Sequence, residues 1–195
     1  MDTKQGELLQ RARELDQQAL AEIYDSYSTG LYGYALRLLG EPHLAEECVA
    51  ETFSRYLHAI HAGKGPKKQL KAYLYRIAHN WIVDLYRRSP EQCLSLEEET
   101  NVSTNIRVED QVDRRILQNQ LRDALFQLTP DQRQVIMLVF IEGWRKADVA
   151  AAVNKPIGAV KSLQYRGINS LRKILGITDQ EAHNEAVRKY ARFTT

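Results

Sequence analysis

Along nearly the whole of this chain, apolar residues return every three or four positions, and nowhere do they alternate. Ile23, Tyr24, Tyr27, Leu31, Tyr34, Ala35 and Leu38 form one such series; Val49, Phe53, Tyr56, Leu57 and Ile60 form the next. That period puts the apolar side chains on one side of an α-helix. A half-buried strand needs a period of two, so the spacing predicts an all-α protein. Punctuation marks the helix ends. Gly40 closes the first helix, Pro42 opens the second, and the loop "HAGKGPKK" leads into a third over 72–88, which stops at Ser89-Pro90.

The pattern then lapses. Residues 90–112, "PEQCLSLEEETNVSTNIRVEDQV", are acidic and polar without sustained periodicity, which predicts a flexible linker. It resumes at Ile116, Leu117, Leu121, Leu125 and Leu128. Thr129 and Pro130 then supply a helix cap and first turn, and Gly143 a stop. "RKADVAAAV" and "IGAVKSLQYRGINSLRKIL", separated by "NKP", have the length and punctuation of a helix-turn-helix. The expected organisation is therefore two small helical domains, 1–89 and 113–176, joined by the acidic linker 90–112. A tail, 177–195, follows with no assigned role.

Composition excludes several classes. A net charge of +2 over 195 residues says little about partners; the distribution of charge says more. Cys48 and Cys93 provide neither a disulfide framework nor a four-ligand metal site. His43, Cys48, His58 and His61 are not spaced to share one face, so no metal or other cofactor is expected. The polar, acidic start does not resemble a secretory signal, and the apolar run "VIMLVFI" at 135–141 is far too short to span a bilayer. These features predict a cytoplasmic protein without membrane insertion. No glycine-rich phosphate loop, nucleophile elbow or metalloprotease helix is present, which points away from an enzyme.

Three helix faces carry the remaining signal. On the 72–88 helix, Leu74, Ile77, Ala78, Trp81, Ile82 and Leu85 form one stripe. Tyr75, Arg76, His79, Asn80, Val83, Tyr86 and Arg87 lie opposite. Aromatics interleaved with cations and an amide suit unstacked, single-stranded bases, each worth about 1–3 kcal/mol in stacking. Lys64, Lys67 and Lys68 precede them and suit phosphates. The competing reading packs Tyr75 and Tyr86 on a neighbouring helix and leaves Arg76 solvated. On the 42–60 helix, Glu47, Cys48, Glu51, Thr52 and Arg55 stand opposite the apolar side, a candidate protein-docking face rather than a DNA face. The plainer reading, and the commoner one for charged helical residues, is a solvated face. On the last helix, Lys161, Ser162, Tyr165, Arg166, Asn169 and Lys173 lie opposite Val160, Leu163, Gly167, Leu171 and Ile174. Such side chains bond phosphates and base edges in a major groove; the plainer reading is a solvated basic face.

Taken together, these residues resemble the extracytoplasmic-function sigma factors of bacterial RNA polymerase. "AEECVAETF" (45–53) is similar to that family's polymerase-docking helix. "AYLYRIAHNWIVDLYRR" (72–88) is similar to its −10-reading helix, with Tyr73 where the family more often has Trp. "LTPDQRQVIMLVFIEGW" and "GAVKSLQYRGINSLRKIL" are similar to its −35-reading domain. The resemblance covers about residues 15–175. It implies that Glu47, Glu51, Thr52 and Arg55 bind core polymerase. Lys64, Lys67, Tyr75, Arg76, His79, Asn80 and Arg87 would bind the −10 element, with the 61–68 loop receiving a flipped-out base. Arg145, Lys155, Lys161, Ser162, Tyr165 and Arg166 would bind the −35 element. It also implies an anti-sigma partner, and a linker whose Glu91, Glu97, Glu98, Glu99, Glu109 and Asp110 imitate nucleic-acid charge. A freestanding helix-turn-helix regulator is the alternative; it accounts for 113–175 and leaves 42–88 unexplained.

Overall fold

The computed structural model describes the backbone of residues 2–88 and 108–176 and the side chains of 5–88 and 117–176. Among the described residues there is no strand. By proximity they fall into two compact groups, 2–88 with 147–155, and 108–146 with 156–176. The sequence division instead kept 113–176 together.

The first group is built from α1 (Asp2–Arg13), α2 (Gln17–Leu39), α3 (Pro42–His61) and α4 (Leu70–Arg88). Helix α1 has no counterpart among the expected elements. Its apolar contribution is slight, yet Leu9 and Ala12 are buried, and Gln5 donates to the Tyr27 hydroxyl at 3.0 Å. A tight turn with Leu15 at φ 61° leads into α2. Asp16 caps that helix by accepting from the Ala19 N–H at 2.8 Å, satisfying one of the first-turn donors. This backbone bond, helped by Arg11 at 3.1 Å, holds the Asp16 carboxyl below its ordinary range. Gly40 ends α2 at φ 80°, a conformation that costs a β-carbon-bearing residue energy, and Pro42 starts α3 where no intrahelical N–H is needed. Ile23, Leu31 and Leu38 of α2, Tyr56 and Ile60 of α3, and Leu74 and Ile82 of α4 form the core. Each such side chain, when fully buried, contributes about 1.5–3 kcal/mol.

The second group contains α5 (Val108–Phe126), α6 (Pro130–Ile136) and α8 (Ile157–Ile174). Helix α5 begins inside the stretch expected to be linker. Its opening residues are mostly charged or polar and precede the first strong apolar period, so pattern alone starts the helix too late. Thr129 and Gln132 close a reciprocal capping box at the head of α6. That helix then widens into a π-helical turn over Met137–Ile141, and Gly143 terminates it at φ +66°. Arg133 is buried with its guanidinium 3.9 Å from the Phe126 ring centroid, joining α6 to the end of α5. A β-carbon at Gly167 would lie 3.0 Å from Ile136 Cγ1, so α6 and α8 meet where α8 has no side chain. Between them in sequence lies α7 (Lys146–Ala152), and a turn with Asn154 at φ 53° leads on to α8.

The linker residues Glu91, Glu97, Glu98 and Glu99, the tail 177–195 and Cys93 lie outside the described residues. So do the side chains of Glu109 and Asp110.

Candidate nucleic-acid interface

Helix α4 is rotated from the phase its sequence predicted. Tyr75 and His79 are each 2 % exposed and Val83 is 8 % exposed, whereas Ile77 and Leu85 are only half-buried. The cause lies on α2. Tyr34 shares a hydrogen bond with His79 Nδ1 at 2.8 Å, and its ring meets Tyr75 edge-on with centroids 5.2 Å apart. Gly30 opens a notch for the Tyr75 hydroxyl, which a β-carbon there would approach to 2.9 Å. Tyr86 donates to the Leu38 carbonyl at 3.1 Å. Tyr75 and His79 are therefore core residues, not part of a water-facing aromatic surface.

The surface that remains is a stripe of Tyr73, Arg76, Ile77, Asn80, Asp84 and Arg87, at spacings of three and four. Asn80 and Arg87 are exposed; Arg76 and Tyr73 are half-buried, with the guanidinium 5.4 Å from the Tyr73 ring. Tyr73 also packs edge-on against Tyr56, whose phenol is pushed up to about 12 by burial. Tyr73 is the aromatic that sequence spacing missed as a site residue. Its signal was the alternation Tyr73-Leu74-Tyr75, in which only one tyrosine can face outward. Lys64, Lys67 and Lys68 lie in the loop that leads into α4; Lys64, Lys67 and Lys68 carry its positive charge at the open end of the helix. The result is a cationic, amide-bearing edge with one partly open ring.

Helix α3 offers a face of opposite character. Glu47 and Arg55 are exposed and Glu51 is half-buried, with Arg55 Nε 2.7 Å from Glu51 Oε1. Thr52 does not belong to it. The Thr52 side chain is fully buried and donates to the Cys48 carbonyl at 2.7 Å, a bond that removes the hydroxyl from any partner. Cys48 is likewise buried, and burial pushes its thiol up from 9.0 to about 12. Leu57, expected inside, is 42 % exposed; it lies one turn beyond Phe53, whose ring meets Tyr24 with centroids 4.7 Å apart. Small side chains at 48 and 52 let α3 approach its neighbours on a side that polarity alone assigns to solvent.

On α8, Lys161, Ser162, Tyr165 and Arg166 line one open concavity, and Tyr165 is 69 % exposed. Positions 161, 162, 165 and 166 occupy one side of the helix by its 3.6-residue turn. Val160, Leu163 and Gly167 are buried on the other. Arg166 Nε donates to the Ser162 carbonyl at 3.4 Å, leaving the rest of the fork outward. Arg145 is exposed and Lys155 half-buried in the segments flanking α7. The Ser162 hydroxyl donates to the Gly158 carbonyl at 3.1 Å but, unlike that of Thr52, is on an exposed residue and can still meet a partner. With two cations and a phenol on the same face, it suits phosphate and base-edge contacts. Among the described residues no three metal-binding side chains converge, and no helix is long and apolar enough to cross a membrane.

Comparison with known proteins matches residues 23–90 to Sigma-70 region 2 and residues 124–173 to Sigma-70, region 4. The ECF RNA polymerase sigma factor BldN of Streptomyces coelicolor is 30% identical over 171 residues, 87% of this chain and 65% of that protein. SigW of Bacillus subtilis, another ECF RNA polymerase sigma factor, is 30% identical over 177 residues, 86% of this chain and 94% of that protein. Among solved structures, CnrH in complex with the cytosolic domain of CnrY shares the fold at a TM-score of 0.64 and 22% identity. That match covers 88% of this chain and 96% of CnrH.

Proposed function

The chain belongs to the extracytoplasmic-function RNA polymerase sigma factors, and from that footing we propose how its surfaces divide the work of starting transcription. Sigma factors are DNA-binding initiation factors; this one performs no catalysis of its own. The acidic face of α3, through Glu47, Glu51 and Arg55, docks on a basic surface of core polymerase. The edge of α4 takes the −10 element as single strand: Tyr73 stacks on a base, Arg76, Asn80 and Arg87 hold its edges and phosphates, and Lys64 and Lys67 grip the backbone beside it. Lys161, Ser162, Tyr165 and Arg166 enter the −35 major groove, with Arg145 and Lys155 on flanking phosphates. The protein works in the cytoplasm with the polymerase. An anti-sigma protein holds it inactive, a reading supported by the similar fold of the sigma factor RpoE of Bartonella quintana, solved in complex with the anti-sigma factor NepR.

The observation that carries this reading is the split of charge within one small bundle. An acidic face on α3 and a cationic, aromatic edge on α4 with its leading loop suit two partners of opposite sign. Reconstitution tests it. Core polymerase supplied with this chain should make promoter-dependent run-off transcripts from genomic fragments that core alone does not. Glu51→Lys, which puts a second cation beside Arg55, should abolish them with helical content unchanged. A variant that competes for core as well as the parent contradicts the docking surface.

A further inference from the structure

We propose that Tyr34 and His79 are positioning residues: their buried hydrogen bond locks the rotation of α4 and thereby selects which side chains meet the single strand. The inference rests on the −10 reading of α4 and adds to it how that face is chosen. Apolar burial does not choose it. Around α4, Ala72, Leu74, Tyr75, Ala78, Trp81, Ile82 and Val83 are buried, and Ile77 and Leu85 are half-buried. Apolar side chains thus cover more than half of the helix circumference, so hydrophobic burial by itself is compatible with more than one phase. One phase exposes Tyr75, His79 and Val83; the other exposes Tyr73, Ile77 and Asp84. Packing that is merely hydrophobic and of suitable volume loses uniqueness before it loses stability. A buried polar pair breaks the tie, since a helix rotated to turn His79 toward water would leave the buried Tyr34 hydroxyl without this partner.

The pair is well placed for that task. Tyr34 is fully buried, His79 is 2 % exposed, and their polar atoms meet at 2.8 Å between α2 and α4. Arg76, Asn80 and Arg87 point away from the core in either phase; fixing the imidazole on α2 is what buries Tyr75 and leaves Tyr73 as the ring on the outward edge. The edge-on Tyr34–Tyr75 contact and the Gly30 notch are complementary in the same phase only.

The test uses the full chain with Cys93→Ser, so that buried Cys48 and a reporter Val83→Cys are the two thiols. Tyr34→Phe removes the hydroxyl and keeps the ring. The reporter thiol at position 83 should then react with a thiol reagent at least about tenfold faster, while helical circular dichroism stays at the parent's level. Binding to core polymerase should remain within about twofold, and permanganate reactivity of −10 thymines in the holoenzyme complex should fall severalfold. His79→Leu should behave likewise, whereas His79→Gln, which keeps a hydrogen-bonding partner for Tyr34, should stay near the parent. A reporter thiol as protected in the Tyr34→Phe variant as in the parent overturns the lock. Acceleration accompanied by loss of helical circular dichroism overturns it too, because that marks unfolding rather than rotation. Rotation without loss of melting separates the pair from strand capture and refutes the proposal. Absence of melting by the parent holoenzyme refutes instead the −10 reading beneath it.

Discussion

Two glycines on α8 should answer the same substitution with opposite signs. Gly158 and Gly167 are both helical, and an alanine at either gains roughly 1 kcal/mol of helix propensity. A β-carbon at Gly158 meets nothing within 4 Å. At Gly167 it would lie 3.0 Å from Ile136 Cγ1, 3.3 Å from Ile136 Cδ1 and 3.5 Å from Gln132 Cβ. Ile136 is itself buried at the start of the π-helical turn, so its β-branched side chain has little room to withdraw. Overpacking of this kind costs about 1–3 kcal/mol. Gly158→Ala should therefore stabilise by about 0.5–1 kcal/mol, and Gly167→Ala should destabilise by about 0–2 kcal/mol. The chain has two tryptophans, Trp81 and Trp144. In a Trp81→Phe background, urea titration followed by Trp144 fluorescence reports the second group alone. Equal stabilisation by both alanines would refute the close α6–α8 approach.

Cys48, Tyr75, Tyr73 and Arg166 give further expected outcomes. Cys48, with its thiol moved from 9.0 to about 12, is about a thousandfold less ionised than an ordinary cysteine at neutral pH, so native protein should resist alkylation and oxidation at this position. The raised value favours the protonated folded state; the stability it lends is complete below pH 9 and should drain away between pH 9 and 12, which alkaline denaturation would reveal. Tyr75→Ala should destabilise the first group by about 3–5 kcal/mol, the cost of a large core truncation. Tyr73→Ala should instead leave the urea midpoint nearly unchanged and impair permanganate-detected melting. Arg166→Ala should weaken upstream-element binding by about 1–3 kcal/mol if it makes a base-edge contact, read from holoenzyme competition between matched and altered −35 sequences.

Much of the helical framework was legible because its ends obey local chemistry. Gly40, Pro42, Thr129-Pro130 and Gly143 mark boundaries through backbone requirements that no tertiary contact overrides. What failed was rotation and depth. Spacing put Ile77 and Leu85 inside and Tyr75, His79 and Val83 outside because α4 is apolar or aromatic around most of its girth; the decision came from Tyr34 and Gly30, far away in sequence on α2. Thr52 and Cys48 looked like docking residues because each has a polar atom, yet both are small enough for a helix contact, and the threonine satisfies itself on its own backbone. Helix α1 was missed for the converse reason: only Leu9 and Ala12 reach the core, too few to register as a period. The cations of α8 and of the loop before α4 were found where expected, since exposed charge needs no partner elsewhere in the fold.

The central claim is that two DNA-binding surfaces act together only when polymerase holds them. From Arg88 to Val108 the chain, even fully extended, reaches about 70 Å at roughly 3.5 Å per residue, so it would have to be nearly taut to bridge both promoter elements. Two elements separated by two turns of duplex are themselves about 70 Å apart. If, as its sequence predicts, this stretch is an acidic flexible linker, the duplex repels it and ordering it costs roughly 1–2 kcal/mol per fixed residue, so the avidity of linked modules should be mostly lost in free solution. Footprinting of one promoter with the chain alone and with core polymerase tests this directly. The account predicts protection of both elements only when core is present. Full protection of both by the chain alone would contradict it and favour a freestanding regulator.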